Sequence, residues 1–195
     1  MKNFLNNFFL NFKIALQKIN ILNLEKAAKI IDVTRNKKGR LFILGVGGSA
    51  GNSSHAVNDF RKLCRIEAYS PTDNVSEITA RTNDEGFESI FSEYLKVSNL
   101  QAKDTLLIFS VGGGNLKKKV SLNLIEAIKC AKRKKSKVIS FVGKSDGYAF
   151  KHSDIAILMS SPDKKYVTPV SEPMQAVLWH ALVSHPILQK KKTKW

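Results

Sequence analysis

Two short apolar runs, each ending abruptly in a cluster of glycines, limit what this chain can fold into more than any other feature. The first, Leu41-Phe42-Ile43-Leu44, leads into Gly45-Val46-Gly47-Gly48-Ser49; the second, Thr105-Leu106-Leu107-Ile108-Phe109-Ser110, leads into Val111-Gly112-Gly113-Gly114. Apolar runs without polar alternation read as strands buried on both faces, the pattern of a parallel sheet. Glycines at the strand ends allow tight turns and let backbone N–H groups approach an anion closely. The first turn therefore reads either as a phosphate cradle at the start of a helix, formed by Gly47, Gly48 and Ser49, or as an ordinary strand-to-helix turn with glycines for packing. It lacks the third glycine of a dinucleotide fingerprint and the Gly-Lys-Ser/Thr of a P-loop.

The remaining segments fit the same plan. Helical periodicity predicts helices over residues 3–19, 23–36, 51–64, 75–82, 87–98, about 121–134 and 173–186, with strands at 66–69, 137–142 and 154–159. Residues 83–86 separate two of the helices, and residues 169–171 break the chain before the last, whose first turn would hold Pro173. Alternation of strands and helices predicts an α/β fold, a three-layer α/β/α sandwich around a parallel sheet, with N-terminal helices ahead of the first strand. At 195 residues the chain suits one domain over 1–195. Phe4, Leu5, Phe8, Phe9, Phe12, Leu16 and Ile19 give the first helix an aromatic face that either joins the core or, the preferred reading, meets another subunit within residues 1–38.

Composition narrows the function classes. Lys and Arg outnumber Asp and Glu by 32 to 16, a net charge of +16. The lysines fall in short runs at 117–119, 132–135 and 190–192, with no zinc-finger ligands or interleaved aromatics beside them. A solvated basic surface explains them better than a specific nucleic-acid site. Cys64 and Cys130 are too few for a disulfide framework and lack metal spacing, which favours the cytoplasm. The N-terminus does not read as a signal peptide, and no apolar stretch is long enough to span a membrane.

Four residues are candidates to carry chemistry, the alternative being ordinary core or surface positions on their helices. His55 and Asp59 lie four apart on one predicted helix and so share a face, while Glu172 and His180 come from the far end of the chain. Together they could ligate a divalent metal or divide acid and base work. Glu172 precedes a proline, which predicts an extended conformation there.

The run from Gly45 to Asp59, the Asn83-Asp84-Glu85-Gly86-Phe87 segment with Ile90-Phe91-Ser92, the second glycine turn after Ser110 and the stretch from Glu172 to His180 together resemble the SIS (sugar isomerase) domain family. The resemblance covers about residues 25–186 and is closest to its ketose–aldose isomerases of heptose phosphates. It implies a flavodoxin-like fold, a homotetramer with active sites between subunits, bound zinc, and an enediol route from sedoheptulose 7-phosphate to D-glycero-D-manno-heptose 7-phosphate for surface polysaccharide. By resemblance Ser49, Ser110 and Ser121, with Gly112 and Gly113, hold the phosphate, and Asn83 and Asp84 meet the substrate. His55, Asp59, Glu172 and His180 hold the metal; Asp59, His180 and Glu172 serve catalysis. The chain departs from the family pattern with Asp59 in place of Glu, Glu172 in place of Gln, Pro173-x-Gln175 in place of Glu-x-His, and a hydroxyl-poor second turn carrying Lys117–Lys119. These departures keep open a non-catalytic sugar-phosphate sensor and an isomerase of another sugar phosphate.

Overall fold

The computed structural model describes residues 2–193. In chain order the elements are α1 (Lys2–Gln17), α2 (Ile21–Asn36), β1 (Leu41–Leu44), α3 (Gly48–Cys64), β2 (Ala68–Tyr69), α4 (Val75–Glu85) and α5 (Ile90–Val97). There follow β3 (Thr105–Ser110), α6 (Leu122–Arg133), β4 (Lys137–Val142), α7 (Tyr148–His152), β5 (Ile155–Leu158) and α8 (Val167–Val183). All strand pairs are parallel, in the order β2-β1-β3-β4-β5. This is the predicted three-layer α/β/α sandwich.

Side chains alternate across the sheet, and both faces are buried. Leu41, Ile43, Leu107, Phe109, Ile139, Phe141 and Ile157 face a core shared with α1, α2, α3 and α8. Phe42, Leu44, Leu106, Ile108, Val138 and Val142 face a second core closed by α5, α6 and α7. Double burial explains why these strands read as unbroken apolar runs. The strand order reverses between β1 and β3, so both glycine turns leave neighbouring carboxyl ends at the switch point, where α/β sheets form their ligand crevice.

The aromatic face of α1 divides. Phe8 and Phe12 pack against the core, and Phe8 meets Tyr166 edge-on at 5.8 Å. Phe4 and Phe9 point outward, 59% and 63% exposed, with Leu5 and Leu10 beside them.

Several boundaries differ from expectation, and three show why. Helix α4 continues through residues 83–85 because Arg81 bridges Glu77 and Glu85 one turn to either side, and it stops at Gly86, whose φ of 87° suits a residue without a Cβ. Strand β2 shrinks to two residues. The largest difference is α8, which begins at Val167 instead of 173 and carries Pro173 in its interior. Pro169 sits in the first turn, where N–H groups have no helical partner, so its missing donor costs nothing. Pro173 does remove one helical bond, but Val170, Met174 and Leu178 are buried on either side and hold the helix to the core. Glu172 is therefore helical, not extended.

The second glycine turn packs tightly against α7: the backbone N–H groups of Tyr148 and Ala149 donate to Gly114 O and Gly113 O at 2.9 and 2.8 Å. A Cβ on Gly147 would lie 2.2 Å from Gly112 O, a backbone atom that cannot swing away. Gly147→Ala is expected to destabilise the fold by about 1–3 kcal/mol, the cost of overpacking. A urea titration should show a lower midpoint with an unchanged slope.

Candidate functional site

Helices α3 and α8 lie side by side, and the residue pairs that join them set their direction. Asn52 donates to Gln175 Oε1 at 2.8 Å and Glu172 O at 2.9 Å; further along, Trp179 Nε1–H donates to Asp59 Oδ2 at 3.1 Å; at the end, Cys64 Sγ meets Val183 O at 3.8 Å. Numbering rises together on both helices, so they run parallel. His180 is thereby brought to the face of α3 that carries His55 and Asp59.

The result is a three-residue cluster. His55 Nε2 and His180 Nε2 each lie 3.5 Å from Asp59 Oδ2, and the two imidazole centroids are 5.4 Å apart. Asp59 is only 8% exposed, whereas both histidine side chains are more than half exposed. Trp179, fully buried, forms the floor: its ring stacks on His180 at 5.1 Å and on Phe109 at 5.7 Å, and His55 meets it edge-on at 5.3 Å. Asn58 Nδ2 donates to Asp59 Oδ1 at 3.1 Å, so both carboxylate oxygens are held.

The tautomer of His180 follows from its backbone partner. Nδ1 lies 2.7 Å from Ala176 O, and a carbonyl only accepts, so Nδ1 carries the proton. In the neutral ring Nε2 is then a lone pair aimed at a carboxylate, two acceptors facing each other. That arrangement calls for a positive charge between them, either a proton or a metal ion. The ligand atoms of His55, Asp59 and His180 all lie within 4.8 Å of one another. Two imidazoles and one carboxylate form a donor set suited to a divalent metal with an open coordination position. The cluster opens on a cavity of about 600 Å³ lined also by Asn58, Lys62, Leu63 and the tail residues Lys191, Lys192 and Thr193.

Glu172 is not a member of this cluster. Its carboxylate lies at the amino end of α3, where a Cβ on Gly48 would come within 2.8 Å of both carboxylate oxygens. A negative group suits that helix end. Ser49 is buried there and its Oγ accepts from Gln175 Nε2 at 2.9 Å. Gly47, at φ 65°, has open space around it. At the second turn Ser110 Oγ accepts from Gly113 N at 2.9 Å, Gly112 borders open space, and Ser121 starts α6 at φ 50° with no side-chain cap bond. Asn83 and Asp84 sit on the exposed last turn of α4, hydrogen-bonded to each other at 2.7 Å. Sequence reasoning assigns no role to Trp179 or Asn58, and notes Gln175 only as a departure from the family pattern. Trp179's only signal was its place next to His180 in an apolar helix.

Residues 7–143 match the family model described as the SIS domain. A phosphoheptose isomerase of Buchnera aphidicola subsp. Schizaphis graminum is 35% identical over 179 residues, 89% of this chain and 86% of that protein. The lincomycin biosynthesis protein LmbN of Streptomyces lincolnensis is 32% identical over 165 residues, 81% of this chain; the chain spans only 60% of that protein's length. The structure of phosphoheptose isomerase GmhA from Neisseria gonorrhoeae superposes with a TM-score of 0.78 at 25% identity, over 93% of this chain and 96% of that one.

Trp179→Phe would keep the ring stack with Phe109 and delete the N–H bond to a largely buried carboxylate. A loss of about 1–3 kcal/mol is expected, read as a lower urea midpoint.

Proposed function

The chain belongs to the SIS domain family, and from that footing we propose that it is an aldose–ketose isomerase converting sedoheptulose 7-phosphate to D-glycero-D-manno-heptose 7-phosphate through an enediol, in the supply of heptose for surface polysaccharide. One observation carries the reading: His55, Asp59 and His180, drawn from distant parts of the chain, converge on one open cavity.

Isomerisation moves one proton between adjacent carbons and another between their oxygens. Asp59 takes the proton from the carbon next to the carbonyl and returns it to the neighbouring carbon, while Trp179 and Asn58 fix its orientation. His180 carries the oxygen-bound proton at Nε2, the nitrogen left free by the bond from Nδ1 to Ala176 O. His55 Nε2, an Asp59 oxygen and His180 Nε2 would hold a divalent metal, for which we propose zinc. Such an ion, when bound, supplies polarisation of the carbonyl and stabilisation of enediolate charge. His180 Nε2 cannot be a ligand and a proton carrier at the same instant.

The phosphate is assigned to the second turn, with Gly112, Gly113, Ser110 and Ser121 at the amino end of α6. Gly47, Gly48 and Ser49 then serve the sugar end. Glu172, whose carboxylate already occupies the helix end there, accepts sugar hydroxyls. Asn83 and Asp84 are proposed to reach a neighbouring subunit's substrate in a homotetramer, which the exposed aromatic residues of α1 support as an interface. The single domain over 1–195 is assigned to the cytoplasm, a placement favoured by a phosphorylated substrate and two buried free cysteines. Burial pushes the Cys64 thiol up to about 12, which leaves it inert.

Zinc-supplied protein incubated with sedoheptulose 7-phosphate in D2O should yield the aldose with deuterium at the carbon next to the carbonyl, followed by NMR. Asp59→Asn is expected to lower kcat at least ~100-fold. Chelation that abolishes turnover, with recovery on adding zinc, shows that the reaction needs the metal; turnover that survives chelation leaves His180 Nε2 available to carry the proton. Neither aldose nor deuterium exchange from folded, zinc-supplied protein would overturn the proposal.

A further inference from the structure

The cavity that holds His55, Asp59 and His180 has a second wall which sugar isomerisation leaves unused. Lys62 from the last turn of α3 and Lys191 and Lys192 from the C-terminal tail line it. The tail is placed there by its backbone, not by chance side-chain contact. The Arg35 guanidinium donates to Ile187 O at 2.9 Å, Leu188 O at 2.7 Å and Cys64 O at 2.9 Å. Beyond it, the N–H groups of Lys190 and Lys191 both donate to Leu63 O, at 2.8 and 3.1 Å. Leu63 O is one of the terminal carbonyls of α3 that lack a helical partner, so the tail satisfies it and is fixed across the end of the helix.

This brings three lysine side chains to the lining of a cavity in which Asp59, the one lining carboxylate among the described residues, is engaged by Trp179 and Asn58. Such a concentration of like charge in a concave site favours an anion over open solvent. Position adds a further constraint. From Ser49 at the first glycine turn to Asp59 is about 15 Å along the axis of α3, and to Lys62 about 20 Å. The lysines thus lie beyond the His–Asp–His cluster as seen from the glycine turns.

We propose that Lys62, Lys191 and Lys192 form an oxyanion subsite at the distal end of the cavity, one that takes phosphate-type groups. A sugar with a phosphate at one end and a second phosphate at the other would be held at both ends, with its middle carbons at the cluster. That last placement rests on the isomerase reading; the anion subsite does not.

Titration of inorganic pyrophosphate into the full chain, by calorimetry and by imidazole NMR signals, tests the subsite. The signals of His55 and His180 should shift while that of His152 stays. Lys191→Ala with Lys192→Ala should weaken binding about tenfold, and Lys191→Arg with Lys192→Arg should restore it. Lys134→Ala with Lys135→Ala, an equal loss of charge at the end of α6, should change affinity by no more than about twofold. Unchanged affinity in the tail pair, equal weakening in both alanine pairs, or a shift of His152 alone would each overturn the proposal. Sedoheptulose 7-phosphate turnover measured in parallel keeps the two readings apart: tail-dependent binding without turnover sinks only the isomerase, and turnover without tail-dependent binding sinks only the subsite.

Discussion

The hydrogen bond from Trp179 to Asp59 is the interaction on which the site depends. It joins α3 to α8 at the level of the cluster, holds a carboxylate out of water, and sets the indole beneath both imidazoles. A buried carboxylate is costly unless it is hydrogen-bonded, and here the two donors that satisfy it also orient it. Structure and chemistry are thus not separable at this point: the group that closes the helix pair is the group that faces the cavity.

The two glycine turns illustrate how one sequence pattern can serve different ends. In the first, Gly48 leaves room for the carboxylate of Glu172, so the helix end already has an internal anion beside it. In the second, Gly113 and Gly114 accept the backbone of α7, and a Cβ on Gly114 would come within 2.8 Å of Ile125. Packing accounts for several of these glycines, while Gly47 and Gly112 border open space and leave the crevice accessible. The cradle and the packing turn were rival readings of the sequence; the structure shows the packing at Gly48, Gly113 and Gly114 and open space at Gly47 and Gly112.

Charge is distributed with a similar division. Arg40 is tied to the fully buried Asp104, whose carboxylate holds its guanidinium above the usual value, and Arg35 ties down the tail. Most of the described lysines are exposed, as a solvated basic surface requires. The tail lysines are different, because backbone bonds to Leu63 O bring them to the one cavity that carries a His–Asp–His cluster among the described residues.

The sequence alone determined the sheet and its layers, because residues buried on both faces are mostly apolar and the strands run that way, with Thr105, Ser110, Lys137 and Ser140 the polar departures. It also determined that His55 and Asp59 share a helix face, since four residues make about one turn. It misplaced the start of α8, because proline propensity is local while the burial of Val170 and Met174 is a tertiary effect that outweighs one lost bond. That error carried Glu172 with it. What only the tertiary structure decided is the company Asp59 keeps: His180 and Trp179 lie 120 or more residues away, and no local spacing encodes the parallel docking of α8 on α3 that brings them together.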